Sequence, residues 1–405
     1  LEITGTAKFI TEVDDQSIIL GEANEFASSV TMQAGNGDNR TFDHITFKNS
    51  GGVDLVSSAS SSAGKLFIDA TTNLAVGGNL TLTSGAAAGI TDSDNVTVTG
   101  NLIATTNANS GVINMGTLRV DGTVALTTHG DGDATIVNDD EIDFETSIVR
   151  GNLSATASAG NIIDTGVLTI SGTSTFTTSQ SNDDITLGSV NVFTGAVALN
   201  TSGSTGHAVV DNGTTALIIA ASTVGGDLTL ISGAAAGITD SDIVTVAGNL
   251  IATTDLNSGV INMDTLRVDG TVALTTHGNG AATIVNDDDI NFAISTVRGA
   301  LTATATTSHI TQSDVLTITG AAKFITTQAA QDIILNESGN VFSSSVTMQA
   351  GNGDNAAFND ITFVDSTDVN LHSSAASAGD LFIDATTNLA VGGDLSITAT
   401  NGHIT

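Results

Sequence analysis

Apolar and polar residues alternate along this chain with a period of two, not with the 3.6-residue period of a helix. A clear example starts at Thr117, where the expected inward residues are Leu118, Val120, Val124 and Leu126, and the expected outward residues are Arg119, Asp121, Thr123 and Thr127. The same alternation assigns inward positions to Val96, Val98, Leu102, Leu168, Ile170 and Phe176. A period of two is typical of strands with one buried face, so the sequence predicts an all-β fold.

Glycines and short polar turns separate the alternating runs. Gly100, Gly122 and Gly172 each stand between two strand patterns, as corner residues do. The turns at Asn107 and His129 supply Gly, Asn and Asp, which tolerate left-handed backbone angles. We therefore expect short strands joined by tight corners.

The chain also repeats itself at two scales. The segment SGAAAGITDSD at 84–94 returns at 232–242, and GNLIATT and VDGTVALTTHG return with the same shift. Long self-similarity of this kind is the signature of a solenoid or repeat array. The internal copies are 94–241 with 242–389, and 1–93 with 316–405.

Recurring polar turns divide the copy at 94–241 into six segments, which are 94–116, 117–139, 140–166, 167–188, 189–213 and 214–241. Their mean length of about 25 residues fits one coil of a β-solenoid. Continued through both ends, this division gives roughly 17 coils and a rod on the order of 80 Å long. The sequence therefore predicts that residues 1–405 form a single continuous parallel β-solenoid, in which each coil depends on its neighbours for stability.

The first and last copies separate inner from outer positions. The set Phe42, Ile45 and Phe47 is kept as Phe358, Ile361 and Phe363, whereas Arg40, His44 and Lys48 become Ala356, Asp360 and Val364. We expect the kept set to point inward and the changed set to point outward.

Composition narrows the function classes. The chain has no Pro, although ordinary usage would give about 5%, which indicates a backbone whose N–H groups nearly all donate to a ladder. It has no Cys, so it forms neither disulfides nor thiolate metal sites. The net charge of −34 repels nucleic acid and anionic membranes, and no run of 18 apolar residues spans a bilayer. The chain starts at Leu1 inside a repeat unit, which indicates a segment of a longer array whose export signal and anchor lie elsewhere.

The wording of the repeats, such as STVGGDLTLISGAAAGITDS from Ser222 and VLTISGTSTFTTSQSNDDITLGSVNVFTGAVALN from Val167, resembles the repetitive regions of filamentous haemagglutinin-like bacterial surface proteins. The resemblance covers essentially the whole chain. It implies a right-handed parallel β-helix that is exported to the cell exterior, where such proteins act as adhesins, stalks, filaments or matrix.

A calcium site is the first candidate for chemistry. Four carboxylates lie near a Gly-rich turn: Asp131, Asp133, Asp139 and Asp140. The second copy has Asn279 and Ala281 in place of the first two, and there is no GGxGxD repeat or EF-hand loop. We expect solvated turn acids with, at most, loose binding of divalent ions by the acidic surface.

Histidines and arginines that recur between copies are the second candidate. His129 and His277 correspond and lie in polar turns, where exposed histidines are expected. The recurring arginines are Arg119 with Arg267 and Arg150 with Arg298. These arginines could bind the substrate in a polysaccharide-cleaving β-helix. We favour the other interpretation, in which they balance the charge of carboxylates such as Asp121 and Glu141.

Other motifs carry weaker signals. GNGDN at Gly35 and Gly351 has no helix after it and is not a phosphate loop, and the sequons at Asn79 and Asn95 are common by chance in such strands. Thr-x-Thr runs such as Thr81 to Thr83 and Thr97 to Thr99 are typical of ice-binding solenoids. Coils of unequal length are expected to make that face irregular.

The sequence as a whole predicts an extracellular structural module of a large bacterial surface protein, which forms a stalk, filament or sheath. We assign it no catalytic, cofactor-binding or metal-binding residue and do not expect an enzyme. Its expected partners are further copies, end to end or laterally, and a cell-surface glycan or protein. A glycan-binding or receptor-binding face is the alternative, and a polysaccharide-cleaving enzyme or an ice-binding solenoid is less favoured.

Overall fold

The computed structural model describes residues 1–13, 15–34, 44–56, 65–68, 74–107, 110–255, 257–351, 359–372, 380–383 and 393–405. The chain divides into two compact units, Leu1–Gly203 and Ser204–Thr405. The regular elements of the described residues are strands, and this part of the chain contains no α-helix, because the period-two pattern leaves no amphipathic stripe for one. Within the same residues, no helix is long and apolar enough to cross a membrane.

The strands of the first unit are Glu2–Ile3 (β1), Ala7–Ile10 (β2), Ile18–Leu20 (β3), Glu25–Phe26 (β4), Val30–Gln33 (β5), Ile45–Asn49 (β6), Val53–Val56 (β7), Lys65–Ile68 (β8), Leu74–Val76 (β9), Leu80–Ser84 (β10), Ile90–Asp92 (β11), Val96–Val98 (β12), Leu102–Thr106 (β13), Ile113–Val120 (β14), Thr123–Thr127 (β15), Ala134–Asn138 (β16), Ile142–Phe144 (β17), Ser147–Val149 (β18), Leu153–Ala157 (β19), Ile162–Asp164 (β20), Leu168–Ile170 (β21), Ser174–Ser181 (β22), Ile185–Leu187 (β23), Val192–Phe193 (β24) and Val197–Ser202 (β25).

The strands of the second unit are Ala208–Asp211 (β26), Leu217–Ile219 (β27), Ser222–Val224 (β28), Leu228–Ser232 (β29), Ile238–Asp240 (β30), Val244–Val246 (β31), Leu250–Thr254 (β32), Ile261–Val268 (β33), Thr271–Thr275 (β34), Ala282–Asn286 (β35), Ile290–Phe292 (β36), Ser295–Val297 (β37), Leu301–Ala305 (β38), Ile310–Gln312 (β39), Leu316–Ile318 (β40), Ala322–Thr326 (β41), Ile333–Leu335 (β42), Val341–Phe342 (β43), Val346–Gln349 (β44), Ile361–Asp365 (β45), Asn370–His372 (β46), Asp380–Ile383 (β47) and Leu395–Ala399 (β48).

Each unit is a stack of turns in which every strand pairing of the described residues is parallel. One turn places a strand in a front sheet, the next in a back sheet, and returns to the front sheet beside the strand where it began. In the first unit β13 lies in the front sheet, β14 in the back sheet, and β15 returns so that Leu102 pairs with Val124. In the second unit β32, β33 and β34 repeat this path, and Leu250 pairs with Val272. The predicted parallel β-solenoid is confirmed.

The turns are somewhat shorter and fewer than predicted. The described residues form about 14 turns with about 22 residues per turn, against the expected 17 or so coils of about 25 residues. The predicted length came from the six segments of 94–241, whereas in that region Leu102 pairs with Val124 after 22 residues and Thr135 with Ser154 after 19. Longer turns lie near both ends of the chain. Ile45 pairs with Leu80 in the first unit, and Ile361 pairs with Leu395 in the second.

Inward side chains fill the space between the two sheets of each unit. The predicted inward residues Leu118, Val120, Val124 and Leu126 are at most 2% exposed, and so are Val96, Val98, Leu102, Leu168, Ile170 and Phe176. Phenylalanine rings of successive turns contact one another, mostly edge to face. The runs are Phe9–Phe26–Phe47 and Phe144–Phe176–Phe193 in the first unit, and Phe292–Phe324–Phe342–Phe363 in the second.

The comparison of the terminal copies holds with one exception. Ile45, Phe47, Ile361 and Phe363 are all buried, as predicted, while Phe42, Phe358, Arg40 and Ala356 lie outside the described residues. Val364 was expected to point outward like its counterpart Lys48 but is only 9% exposed. Its apolar side chain is buried where the N-terminal copy has a lysine of intermediate exposure.

The predicted corner glycines lie where successive turns come closest. A Cβ atom on Gly122 would overlap the carbonyl oxygen of Gly100 and the side-chain oxygen of Asn101 in the preceding turn. The need for Gly at this corner is therefore steric. Left-handed backbone at the predicted turns is found at Gly130 and Ser110, with φ of 62° and 54°.

Unequal turn lengths go with register shifts in β14 and β22, as expected for an irregular face, but other parts of the back sheet stay aligned. Thr135, Ser154, Thr175 and Ala198 are unequally spaced along the chain, yet each pairs directly with the next in the back sheet. The corners absorb the extra residues. A continuous face of threonines, as in ice-binding solenoids, is interrupted because other residue types occupy some of its positions. The partner of Thr81 in the next turn, for example, is Ile103.

Asparagine side chains inside the corners replace missing backbone partners. Asn138 is fully buried, accepts a hydrogen bond from the backbone N of Val120 and donates to the carbonyls of Val120 and Glu141. Asn49 accepts from the backbone N of Phe26 at 3.3 Å, and its counterpart Asp365 accepts from Phe342 at the same distance. Asp365 is 2% exposed, and burial raises the pKa of its carboxyl group.

We expect Gly122→Ala to destabilise the chain by about 2 kcal/mol, because the new Cβ forces two turns apart. Urea unfolding followed by circular dichroism measures the change. Gly188→Ala is the matched control, since a Cβ there meets no atom within 4 Å. Equal stability of the two variants would contradict the steric role of Gly122.

We expect Asp365→Asn to raise the melting temperature at pH 7, because it removes a buried charge and restores the residue found at Asn49. The folded-state pKa of Asp365 is raised, so the carboxyl group destabilises the fold increasingly as pH rises through the range between its ordinary pKa and that raised value. The advantage of the variant should therefore shrink as pH falls towards about 4. Thermal melts at several pH values test this, with the exposed Asp255→Asn as control. A lower melting temperature at pH 7 would refute it.

Candidate functional site

The structure separates the four carboxylates considered for calcium. Asp131 and Asp133 precede β16, whereas Asp139 and Asp140 follow it, so the length of a five-residue strand, roughly 17 Å, lies between the two pairs. Asp133 is engaged, because its Oδ1 accepts from the backbone N of Asn152 at 2.6 Å. Asp140 accepts from the backbone N of its neighbour Glu141. The four acids are neighbours in the sequence but do not form one cluster in space.

Carboxylates do gather in one shallow hollow next to β15. Asp121, Asp140, Glu141 and Asp143 line it, and its volume is about 590 Å³. Within the described ranges, no three or more His, Cys, Asp or Glu side chains are arranged so that they could hold a metal ion. The second copy has Asn291 in place of Asp143, so the hollow is less acidic there.

Asp92 and Asp240 have a structural role that sequence reasoning missed. Each ends the repeated motif GITD, and each holds a bulge in the next turn. Asp92 accepts from the backbone N of Gly116 at 2.8 Å and from the backbone N and hydroxyl of Thr117 at 2.9 and 3.0 Å. Asp240 does the same for Asp264 and Thr265. The near-identical repeat of the motif was the signal that could have pointed to these residues.

A column of polar side chains runs along one edge of the front sheet in each unit. Each member stands immediately before a strand or at its first position, and every member except the last accepts a hydrogen bond from the backbone N of the next member. In the first unit the column is Ser17, His44, Asn79, Asn101 and Thr123. In the second unit one column is His207, Asp227, Asn249 and Thr271, and another is His309, Asp332, Asp360 and Asp394. We call these the corner columns; they extend the backbone ladder with side-chain acceptors.

Histidine occupies the first position of both columns in the second unit, and the second position, after Ser17, in the first unit. The Nδ1 atoms of His44, His207 and His309 accept a backbone N–H at 2.8 to 2.9 Å, so this atom carries no proton. His207 and His309 also lie near the carboxylates of Asp227 and Asp332, at 3.7 and 3.3 Å. These histidines act as acceptors in place of asparagine or aspartate.

The two histidines that correspond between copies are arranged in the opposite way. His129 and His277 are exposed in their turns, as predicted, and their Nδ1 atoms lie 2.5 and 2.7 Å from the carbonyl oxygens of Thr106 and Thr254. A carbonyl oxygen only accepts, so Nδ1 must carry the proton here. Both rings therefore fasten a turn to the one before it.

The recurring arginines lie on the outside of their units. Arg119 is close to Asp121 at 3.6 Å and to Asp139 at 4.0 Å, whereas Arg267 contacts Asp287 directly, with Nε to Oδ2 at 2.7 Å. This agrees with a charge-balancing role. Arg150 and Arg298 are exposed, and neither has a carboxylate within 4.0 Å among the residues that the structure describes.

The remaining motifs add little to a site. Asn79 is occupied in a corner column and Asn95 is exposed. Of the two GNGDN segments, Gly351 alone lies within the described residues, and it has a left-handed φ of 60°. A further polar feature is a shallow groove of about 360 Å³ beside the bulge of β14, with Arg119 and Asp139 in its wall.

The histidine contacts lead to a tautomer prediction. We expect the neutral rings of His44, His207 and His309 to carry their proton on Nε2, and those of His129 and His277 to carry it on Nδ1. Long-range ¹H–¹⁵N correlation spectra distinguish the two forms. His44→Asn, which keeps an acceptor, assigns one signal. One common tautomer for all five would contradict the corner columns.

Comparison with known proteins supports the repeat character of the chain. Residues 131–200 and 279–349 match a family model described as "Repeats of unknown function (DUF5649)". The two segments are related by the same shift as the internal copies, the first lying in the first unit and the second in the second. No curated protein matches the chain, and no solved structure does. The chain is a repeat protein with a β-solenoid fold, and two of its segments are similar to this repeat family.

Proposed function

We propose that this chain is an extracellular structural module of a large bacterial surface protein, where it forms part of a rigid stalk, filament or sheath. The observation that carries the proposal is the parallel pairing between successive turns within each unit. The strands β14 and β16, for example, are joined both by backbone pairing and by a side-chain acceptor, since Asn138 accepts from the backbone N of Val120. Such ladders resist bending and local unfolding because every turn is held by two neighbours.

The outer surface supports a structural role. In the described residues the outward positions are mainly Thr, Ser, Asn and Asp, and the large aromatic side chains are in the core. The charge of −34 would keep neighbouring molecules soluble and apart. The resemblance to filamentous haemagglutinin-like proteins supports export to the cell surface and a role in adhesion or matrix.

The proposal includes what the module does not do. It has no catalytic activity, no cofactor and no nucleic-acid or membrane-inserted partner, and it binds calcium only loosely through its acidic surface. Its partners are other copies of the chain, end to end or laterally, and a glycan or protein on a cell surface.

Electron microscopy of the purified chain over a range of concentrations tests the mechanical part. We expect elongated particles of uniform length for a stalk, or fibres that lengthen with concentration for a filament. Compact globules would overturn both possibilities.

Protease treatment of intact source cells tests the location. A surface module should be cut while a cytoplasmic enzyme, followed in parallel, stays whole. Protection of the chain until the cells are lysed would refute an extracellular role.

A further inference from the structure

The groove beside the bulge of β14 combines hydrogen-bond donors and acceptors from successive turns of the first unit. Its polar lining comes from Asn95, Thr97, Thr117, Arg119, Asp139 and Ser158. Thr97 pairs with Arg119, and Asp139 and Ser158 continue the same outward column on the next two turns, each about 4.8 Å further along. The bulge lies at the groove, where Gly116 and Thr117 stand opposite the single residue Val137 of β16.

Arg119 and Asp139 leave a gap that fits one oxygen atom. Nη1 of Arg119 and Oδ2 of Asp139 are 4.0 Å apart, too far for a direct hydrogen bond. An oxygen about 2.8 Å from both atoms would make an angle of about 90° with them. A hydroxyl group suits this position because it accepts from the guanidinium and donates to the carboxylate at the same time.

The equivalent position in the second unit is closed. Nε of Arg267 is 2.7 Å from Oδ2 of Asp287, and Nη2 is 2.5 Å from the same oxygen, so no oxygen fits between them. In addition, the position of Asn95 is taken by Ile243, and that of Gly116 by Asp264. The two copies share a backbone path, but only the first keeps a polar groove with an open arginine.

We propose that this groove in the first unit is a binding subsite for a neutral, linear oligosaccharide that lies along the stacking direction. A saccharide presents hydroxyl groups at regular intervals, and the column Thr97, Arg119, Asp139 and Ser158 offers polar partners on four successive turns. The carboxylate in the wall and the net charge of −34 disfavour acidic sugars. This site specifies the glycan partner of the proposed function, and it does not depend on the mechanical role of the module.

The test is titration with neutral hexasaccharides of glucose, mannose and xylose linked β-1,4, with hexagalacturonate as the acidic counterpart. Binding is followed by chemical shifts of backbone amides and of the Arg119 Nε–H group in the full chain. Because the groove has no aromatic platform, we expect dissociation constants of roughly 1 mM. Arg119→Ala and Asp139→Ala should each weaken binding about tenfold or more.

Arg267→Ala and Asp287→Ala are the matched controls at the closed position and should leave binding unchanged. All four side chains lie on the outer surface, so none of these variants should alter the melting temperature appreciably. The proposal is overturned if none of the neutral sugars binds, if hexagalacturonate binds more tightly than they do, or if the Arg267 variant loses as much affinity as the Arg119 variant. None of these outcomes tests the stalk or filament role, which is tested separately by electron microscopy.

Discussion

The fold depends on the parallel backbone ladder between one turn and the next. Each turn of about 22 residues buries too few side chains to be stable alone, since ordering its backbone costs about 1–2 kcal/mol per residue. Pairing on both sides supplies what a single turn lacks and fixes the register of every inward side chain. The runs of contacting phenylalanine rings and the corner columns follow from that register, because equivalent positions of successive turns are brought into contact.

Much of this architecture was readable from the sequence. Period-two alternation placed Leu118, Val124 and Phe176 inside, and the long internal repeat indicated stacked turns, because both features reflect constraints that act at every turn. Turn length was harder to predict. Polar residues mark corners and also fill outward positions, so the six segments of 94–241 were drawn longer on average than the observed turns of about 22 residues. The burial of Val364 could not be predicted either, because the sequence at one outward position does not show which residues pack against it.

The site features were less predictable than the fold. Proximity in sequence made Asp133 and Asp139 candidates for one calcium site, but the strand β16 lies between them and separates them in space. Conversely, Asp92 contacts Thr117, which is 25 residues further along. In a solenoid the neighbours of a side chain lie about one turn away, and that distance varies from turn to turn. Pairs such as Arg119 with Asp139 can be found only when the register is known.

The absorption of unequal lengths at the corners separates two kinds of change. A residue added within a strand shifts the following side chains to the opposite face unless a bulge absorbs it, as in β14, whereas a residue added at a corner leaves both sheets in register. The chain already contains this variation, because the path from Thr135 to its partner Ser154 is shorter than the path from Ser154 to Thr175, and both end in the same column of the back sheet. New loops can therefore be acquired or lost at the corners while the core sequence stays fixed. The surface of a repeated scaffold of this kind can therefore change one corner at a time, and each internal copy can acquire different corner loops.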